Sequence, residues 1–404
     1  MNQANPVTLV LVGVGGYGHT YVNAVLDQKP PLRAVITGVV DPRAEGCKRL
    51  AEIRARGLPV YADLETFYAQ HRAELAVISS PIHLHCPQTC LALQQGSNVL
   101  CEKPAAATIQ EVARMRAATA QSGRFAAIGY QWSFSPAVQA LKADILAGRL
   151  GAPKRLRTLV LWPRNEAYYR RNTWAGALQN AHGDWVLDSP VNNATAHYLH
   201  NMFYILGASP GESAMPVRLT AELYRANPIS NYDTGVVRAW TAAGVEVLFY
   251  TTHTTAQLRG PEFIYEFERA TVRYDASTKQ ITATSTDSGE HVYGTPDSDV
   301  ARKLWDCVAA TRGGGPIACD VAAAAAQTLC MNGMQDSAPR IAGFPADLVS
   351  RQGEEGTRVT VVRDLDIVLI QAYEAGRLPA EMGVAWAVAG RELELRSYNR
   401  FPRS

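Results

Sequence analysis

The sequence predicts an α/β protein in which an open, doubly wound parallel sheet (residues 1–130) precedes a second α/β domain built on a mostly antiparallel sheet (residues 131–404). Three observations carry this expectation. Residues 7–130 alternate short apolar runs with helix-like stretches, a glycine-rich turn joins the first run to the first helix, and beyond residue 217 strand-like runs follow one another directly. Alternating β and α segments build a parallel sheet, whereas strands without helices between them favour antiparallel pairing.

In chain order, Val7–Gly13, Ala34–Asp41, Leu75–Ser79, Asn98–Cys101 and Arg124–Tyr130 are apolar runs of strand length. Such near-continuous runs suit strands buried on both faces. Between them Gly18–Asp27, Arg43–Arg56, Asp63–Gln70, Pro87–Gln95 and Ile109–Ser122 read as helices. Gly57, Gly96 and Gly123 stand just past three of these, as helix ends require. A helix at Pro136–Ala147 then leads into the strand Lys154–Leu161, an aromatic and Arg-rich loop from Trp162 to Trp174, and a helix from Val191 to Leu206. Arg218–Tyr224, Gly235–Trp240, Val245–Thr252, Phe263–Phe267, Ala270–Tyr274 and Gln280–Ser285 are the antiparallel strands. Helices at Asp299–Thr311 and Asp320–Ser337, loop-like residues Ala338–Gly356, a helix at Asp364–Ala375 and a strand at Glu392–Ser397 complete the order.

Composition narrows the function classes. The 404 residues are enough for two or three domains, and 47 % hydrophobic with 19 % charged residues excludes a disordered chain. A net charge of +2 gives no electrostatic reason to expect nucleic acid or an acidic membrane as partner. No apolar run reaches the roughly 18 residues of a bilayer span. The polar start, Met1–Pro6, is not patterned as a secretory signal, and seven cysteines occur without a C-x-x-C pair. Together these predict reduced thiols and a cytoplasmic protein.

Gly13-Val14-Gly15-Gly16-Tyr17-Gly18 is a G-x-G-x-x-G turn between the first strand and the first helix. Its first glycine allows the tight turn, the second lets backbone approach a pyrophosphate, and the third permits close helix–strand packing. The helix N-terminus then offers unpaired N–H groups to an anion. Asp41 ends the second strand 23 residues after Gly18, where a carboxylate can accept from both hydroxyls of an adenosine ribose. That carboxylate favours NAD, while Arg43 could pair with a 2′-phosphate and keeps NADP open.

The strand Leu75–Ser79 runs into Ser79-Ser80-Pro81-Ile82-His83-Leu84-His85, and Asn98–Cys101 is followed by Glu102-Lys103-Pro104. With the glycine turn and Asp41, these motifs resemble the glucose–fructose oxidoreductase / inositol dehydrogenase family, Gfo/Idh/MocA. The resemblance implies an N-terminal Rossmann domain, with Ser80, Pro81, His85, Glu102 and Lys103 joining Gly13, Gly15, Gly16, Tyr17, Gly18, Asp41 and Arg43 at the cofactor. It further implies that the second domain binds substrate on a large open sheet and assembles a homodimer or homotetramer through it. Lys103 takes the role of the family lysine, steadying the oxygen of the reacting alcohol or ketone.

The family usually carries D-x-x-x-H near the start of a later helix. Here His197 matches the histidine as general acid/base, Asn193 stands four residues before it, and Asp188 nine. Asn193 and His197 are the expected pair, on one helical face, with Asp188 as the alternative for the aspartate position. Tyr130, Trp132, Tyr168 and Arg170 supply aromatic faces and a guanidinium suited to a polyhydroxylated ligand. The group His83, His85, Cys86, Cys90 matches no common zinc spacing, and His182, Asp184, His197 and His200 are not read as ligands, so no metal is expected. Three functions follow: an NAD(P)-dependent dehydrogenase of a sugar or polyol, a glycoside-cleaving or epimerising enzyme using tightly bound NAD transiently, and a non-catalytic dinucleotide sensor.

Overall fold

A computed structural model describes residues 5–285, 289–338 and 340–403, so the first four residues of the polar start considered above lie outside it. The first sheet comprises β1 (Val7–Val12), β2 (Ala34–Val40), β3 (Val60–Tyr61), β4 (Leu75–Ile78), β5 (Asn98–Cys101) and β6 (Ala126–Ile128). All neighbours pair in parallel in the order β3-β2-β1-β4-β5-β6. Every residue of β4 and β5 is buried, as helices on both faces of a parallel sheet demand. The strand order reverses between β1 and β4, so the loops after these two strands frame the ligand crevice of a doubly wound sheet. The two-residue β3 was not expected; a strand that short carries no periodicity to read.

The helices of this half are α1 (His19–Leu26), α2 (Leu50–Ala55), α3 (Leu64–Gln70), α4 (Ile82–Gln94) and α5 (Ile109–Ser122). Two differ from expectation. The helix expected over Arg43–Arg56 is a 3-10 turn at Ala44–Gly46 followed by the short α2, since Gly46 is a poor helix interior. Helix α4 begins at Ile82, with Pro81 as its cap, and simply contains Pro87.

The second sheet is built from β7 (Pro153–Leu161), β8 (Pro216–Arg225), β9 (Thr234–Thr241), β10 (Glu246–Thr252), β11 (Arg259–Phe267), β12 (Ala270–Asp275), β13 (Gln280–Ser285), β14 (Gly289–Gly294), β15 (Ala342–Gly343) and β18 (Leu393–Glu394). A separate hairpin joins β16 (Val349–Gln352) and β17 (Val359–Val362). The ten-stranded sheet is mixed and mostly antiparallel, in the order β14-β13-β12-β11-β7-β10-β9-β8-β15, with β18 also on β8; β7–β10 and β8–β15 pair in parallel. The remaining helices are α6 (Pro136–Leu146), α7 (Glu166–Arg170), α8 (Ala196–Ile205), α9 (Arg302–Thr311), α10 (Val321–Ser337) and α11 (Leu365–Ala375). Leu365, Leu369, Ala372 and Tyr373 of α11 pack on Leu159, Leu161, Val236, Leu248 and Tyr250, so one face of β7, β9 and β10 is covered by the chain itself.

The chain packs as two compact units. One holds the residues up to Ala106, Gln110–Phe134 and Asp299–Ala324; the other holds Ala107–Ile109, Ser135–Ser298 and the residues from Ala325 onward. Residues 299–324, placed by sequence in the second domain, therefore pack in the first unit, where α9 lies against β4 and β5. Chain order conceals such a return, because a compact unit need not be continuous in sequence.

Gly18 shows how tightly the first turn is built: a Cβ there would lie 1.8 Å from the Gly13 carbonyl oxygen, whereas one on Gly15 would meet nothing within 4 Å. Gly18→Ala is expected to destabilise the protein by about 2–4 kcal/mol in urea unfolding, and Gly15→Ala by no more than ~0.5 kcal/mol.

Candidate functional site

In the first unit the glycine turn opens directly from β1. Gly13 has φ +76°, and a Cβ on it would sit 2.8 Å from the Ser79 carbonyl, so the loops after β1 and β4 touch through a residue that has to be glycine. Gly15 and Gly16 face open space. Asp41 stands at the end of β2, its Oδ2 accepting from the backbone N–H of Val14 (2.9 Å) and Gly15 (3.3 Å) and its Oδ1 from that of Arg43 (2.8 Å). Two buried polar atoms beside the turn, Ser79 Oγ and His19 Nδ1, have no partner among the described residues. Buried polar atoms left unpaired are costly unless a ligand supplies the bond. An open glycine turn at a helix start, an acid at the second strand and unsatisfied polar atoms beside them fit a dinucleotide.

The end of β5 carries a buried charge network that sequence reading missed. Lys303 of α9 has a fully buried side chain, and its Nζ lies 2.5 Å from Glu102 Oε1, 3.1 Å from Tyr17 Oη and 3.3 Å from the Gly129 carbonyl. Tyr21 Oη donates to the same Glu102 oxygen at 2.5 Å, and the backbone N–H of Lys103 donates to Glu102 Oε2 at 3.2 Å. Burial pushes the Glu102 carboxyl up, but the Lys303 ammonium and its hydrogen bond outweigh this and hold it below the ordinary glutamate range. Burial likewise pulls Lys303 down, and Glu102 and Tyr17 more than restore it. Glu102, expected at the cofactor, thus turns into the unit, where it fixes the backbone of the half-buried Lys103. The overlooked signal was a lysine on the buried stripe of α9 with Leu304, Cys307 and Val308.

The other expected residues of this unit are placed as follows. His85 is 1 % exposed, with Nδ1 2.7 Å from the Pro104 carbonyl and Nε2 2.9 Å from that of Ser80, so it ties the Lys103 loop to the loop after β4. Burial lowers its basicity, and the two carbonyls partly offset this. Ser80 Oγ donates to Gln88. Tyr17 is exposed and Arg43 lies on the surface. Tyr130 and Trp132, expected to face a ligand, are instead buried, because the 3-10 turn Gln131–Phe134 packs against α9.

In the second unit α8 starts at Ala196, not Val191, so Asn193 lies in the preceding turn and does not share a helical face with His197. That turn is held by Asn193 N–H on Ser189 O (3.0 Å) and Thr195 N–H on Pro190 O (2.9 Å). Asp188 is buried and accepts from Asn193 Nδ2 (2.7 Å) and Gly176 N–H (2.6 Å), with Arg171 at 3.6 Å. The two candidates for the family aspartate therefore touch. His197 occupies the first turn of α8, half-buried. Tyr168 lies under the Arg171 guanidinium (3.6 Å to its ring), and burial pushes its phenol up to about 12. Arg170 is exposed and pairs with Glu166 at 3.4 Å.

His253, also missed from sequence, is buried; its Nδ1 lies 2.7 Å from the Trp162 carbonyl, which assigns the proton there and leaves Nε2 as an acceptor with no partner among the described residues. Burial, reinforced by Arg164, lowers its pKa to about 3, so it remains neutral. Among the described residues no group of three or more His, Cys, Asp or Glu is arranged to hold a metal ion.

Comparison with known proteins bears on both units. Residues 7–130 match the family model described as oxidoreductase family, NAD-binding Rossmann fold. An inositol 2-dehydrogenase of Rubrobacter xylanophilus is 29 % identical over 47 % of this chain and 50 % of its own length. A 2,7-anhydro-N-acetylneuraminate hydratase of Mediterraneibacter gnavus is 29 % identical over 36 % of this chain and 37 % of its own length. The chain thus spans half or less of the curated relatives it matches here. The WlbA dehydrogenase from Bordetella pertussis, solved with NADH and UDP-GlcNAcA, superposes with a TM-score of 0.67 at 21 % identity, covering 82 % of this chain and 95 % of that one, and shows the same fold.

Lys303→Met leaves the Glu102 carboxylate buried without its cation, which is expected to cost about 3–5 kcal/mol at neutral pH. Paired with Lys303, Glu102 titrates low, so its contribution is present above the ordinary value of 4.5 and lost as pH falls through the depressed one. Without the cation its pKa is raised and the penalty vanishes on protonation. Denaturant unfolding should therefore show the gap between variant and parent narrowing from pH 8 toward about pH 4.5, and Glu102→Gln added to Lys303→Met should recover much of the loss.

Proposed function

We propose, from the match of residues 7–130 to the family of oxidoreductases with an NAD-binding Rossmann fold, that the protein is an NAD-dependent dehydrogenase of a secondary alcohol on a sugar, polyol or derivative. The observation that carries this reading is Lys103, held at its backbone by Glu102 at the end of β5, in the unit that presents the open glycine turn. When bound, the dinucleotide supplies the hydride acceptor. The turn and the N-terminus of α1 bind its pyrophosphate, and Asp41 accepts from the adenosine ribose. His85 acts on the cofactor site through the two loops it ties, and Ser79 and His19 supply the unsatisfied polar atoms.

Lys103 stabilises the developing negative charge on the substrate oxygen as the carbon loses hydride. His197 takes the hydroxyl proton, and Asn193, anchored by Asp188, orients the ligand or the imidazole. Tyr168, Arg170 and the neutral acceptor His253 Nε2 complete a polyol-binding set. Asp41 favours NAD over NADP, because a carboxylate repels a 2′-phosphate.

The hydratase relative favours one second reading, in which bound NAD is reduced and reoxidised within each turnover. Oxidation of one carbon acidifies its neighbour and allows elimination. A homodimer or homotetramer through the C-terminal sheet remains part of the proposal, and α11 covers one face of β7, β9 and β10 within the chain itself. No helix among the described residues is long and apolar enough to cross a membrane, and the setting we assign is the cytoplasm.

A panel of sugars and polyols offered with each dinucleotide should raise the NADH absorbance band for at least one compound. Product without net NADH selects the second reading, and no product at all overturns both. Lys103→Met should lower kcat by about 10²–10³ while NAD affinity stays within about threefold. Asp41→Ala should weaken NAD by roughly tenfold and NADP far less, read by fluorescence titration; equal losses would remove the ribose role.

A further inference from the structure

The second unit carries a half-open pocket of about 310 Å³ between α7, residues 175–177, residues 227–230 and the β16–β17 hairpin. This lies at the lower end of small-molecule sites and suits a hexose-sized ligand. Its walls are internally braced. Asp233 accepts from the backbone N–H of Ala226 (3.0 Å) and Asn227 (2.7 Å) and from Asn227 Nδ2 (2.9 Å). Asn231 N–H donates to Gly176 O (2.9 Å), and Leu178 N–H to Ser230 Oγ (3.0 Å).

The polar lining is chemically unbalanced. Glu166 and Arg170 offset each other at 3.4 Å, and Glu166 also accepts from Gly356 N–H at 3.1 Å. Two lining groups remain uncommitted. Tyr169 Oη is buried without a partner among the described residues, and Arg351, exposed on β16, lines the mouth of the pocket with no ion-pair partner among them. Burial holds the Tyr169 phenol well above its ordinary range, so it stays a donor. Of the two carboxylates near Tyr169, Asp188 stands beside the Arg171 guanidinium, and Asp233, which is not part of the lining, accepts from three neutral donors. What remains is one uncompensated cation and one neutral donor, the complement of a monoanion. A planar guanidinium fork matches a carboxylate, whereas a phosphate dianion calls for a second free cation.

We propose that this cavity binds the carboxylate of a hexose-sized sugar acid, with Arg351 and Tyr169 as its recognition pair. In calling that acid the substrate class, the inference rests on the dehydrogenase reading; the binding itself does not. Calorimetric titration of the whole chain without dinucleotide, using D-glucuronate, D-glucose and inorganic phosphate, tests it. D-Glucuronate should bind at least about tenfold more tightly than the other two. Arg351→Gln should weaken glucuronate by about tenfold and leave glucose unchanged. Tyr169→Phe should weaken glucuronate about fivefold without lowering the melting temperature, since the free protein loses no hydrogen bond with that hydroxyl. Because this titration contains no dinucleotide and no turnover, a failed hydride transfer is read separately from a failed pocket. Undetectable glucuronate binding, equal affinity for glucose, tighter binding of phosphate, or unchanged affinity in both pocket variants would overturn the proposal.

Discussion

A carboxylate taken out of water has to find a cation or several donors, and in the first unit that requirement organises everything around Lys103. Glu102 is buried at the end of β5 with Lys303 and Tyr21 on one oxygen and the Lys103 backbone on the other. Breaking such a pair strands a charge, which costs more than the pair itself gains. The lysine comes from α9, far along the chain, so the end of β5 is completed only when residues 299–324 return to the first unit. Tyr17, in the glycine turn, joins the same network through Lys303. One buried ion pair thereby links the loop that fits the cofactor to the strand end that presents the candidate catalytic lysine.

The second unit follows the same physics with different partners. Asp188 is saturated by a backbone N–H, an amide and a guanidinium, and in satisfying itself it anchors Asn193 in the turn before His197. Asp233, held up at about 6 chiefly by burial, is surrounded by donors from the loop at 226–227 and shapes one wall of the cavity. In both units a buried acid holds neighbouring groups in place: Glu102 the backbone of Lys103, Asp188 the side chain of Asn193, and Asp233 the backbone of residues 226–227. Lys103 and His197 are half-buried and Arg351 is exposed.

Several elements were legible because their cause is local. Apolar runs four to eight residues long marked β1, β2, β4 and β5 almost to the residue, and glycines at 57, 96 and 123 marked helix ends, each with positive φ. The glycine turn was legible for the same reason, since Gly13 and Gly16 adopt the positive φ that favours glycine. Where sequence reading erred, the competing influence was tertiary. Residues 191–195 carry a helical pattern yet form a turn, because Ser189, Pro190 and Asp188 claim their hydrogen bonds. Tyr130 and Trp132 look like ligand contacts until α9 packs against their turn.

By itself the sequence determined the two-part α/β plan, the parallel and antiparallel sheets, the glycine turn with Asp41, and the candidate lysine, since periodicity, strand length and backbone sterics act over a few neighbouring residues. Only the tertiary structure decided which charges neutralise one another: Lys303 with Glu102, Asp188 with Asn193 and Arg171, and the remainder that leaves Arg351 and Tyr169 open. Those choices depend on the cost of burying a charge, and burial is a property of how distant segments pack rather than of any residue in the chain alone.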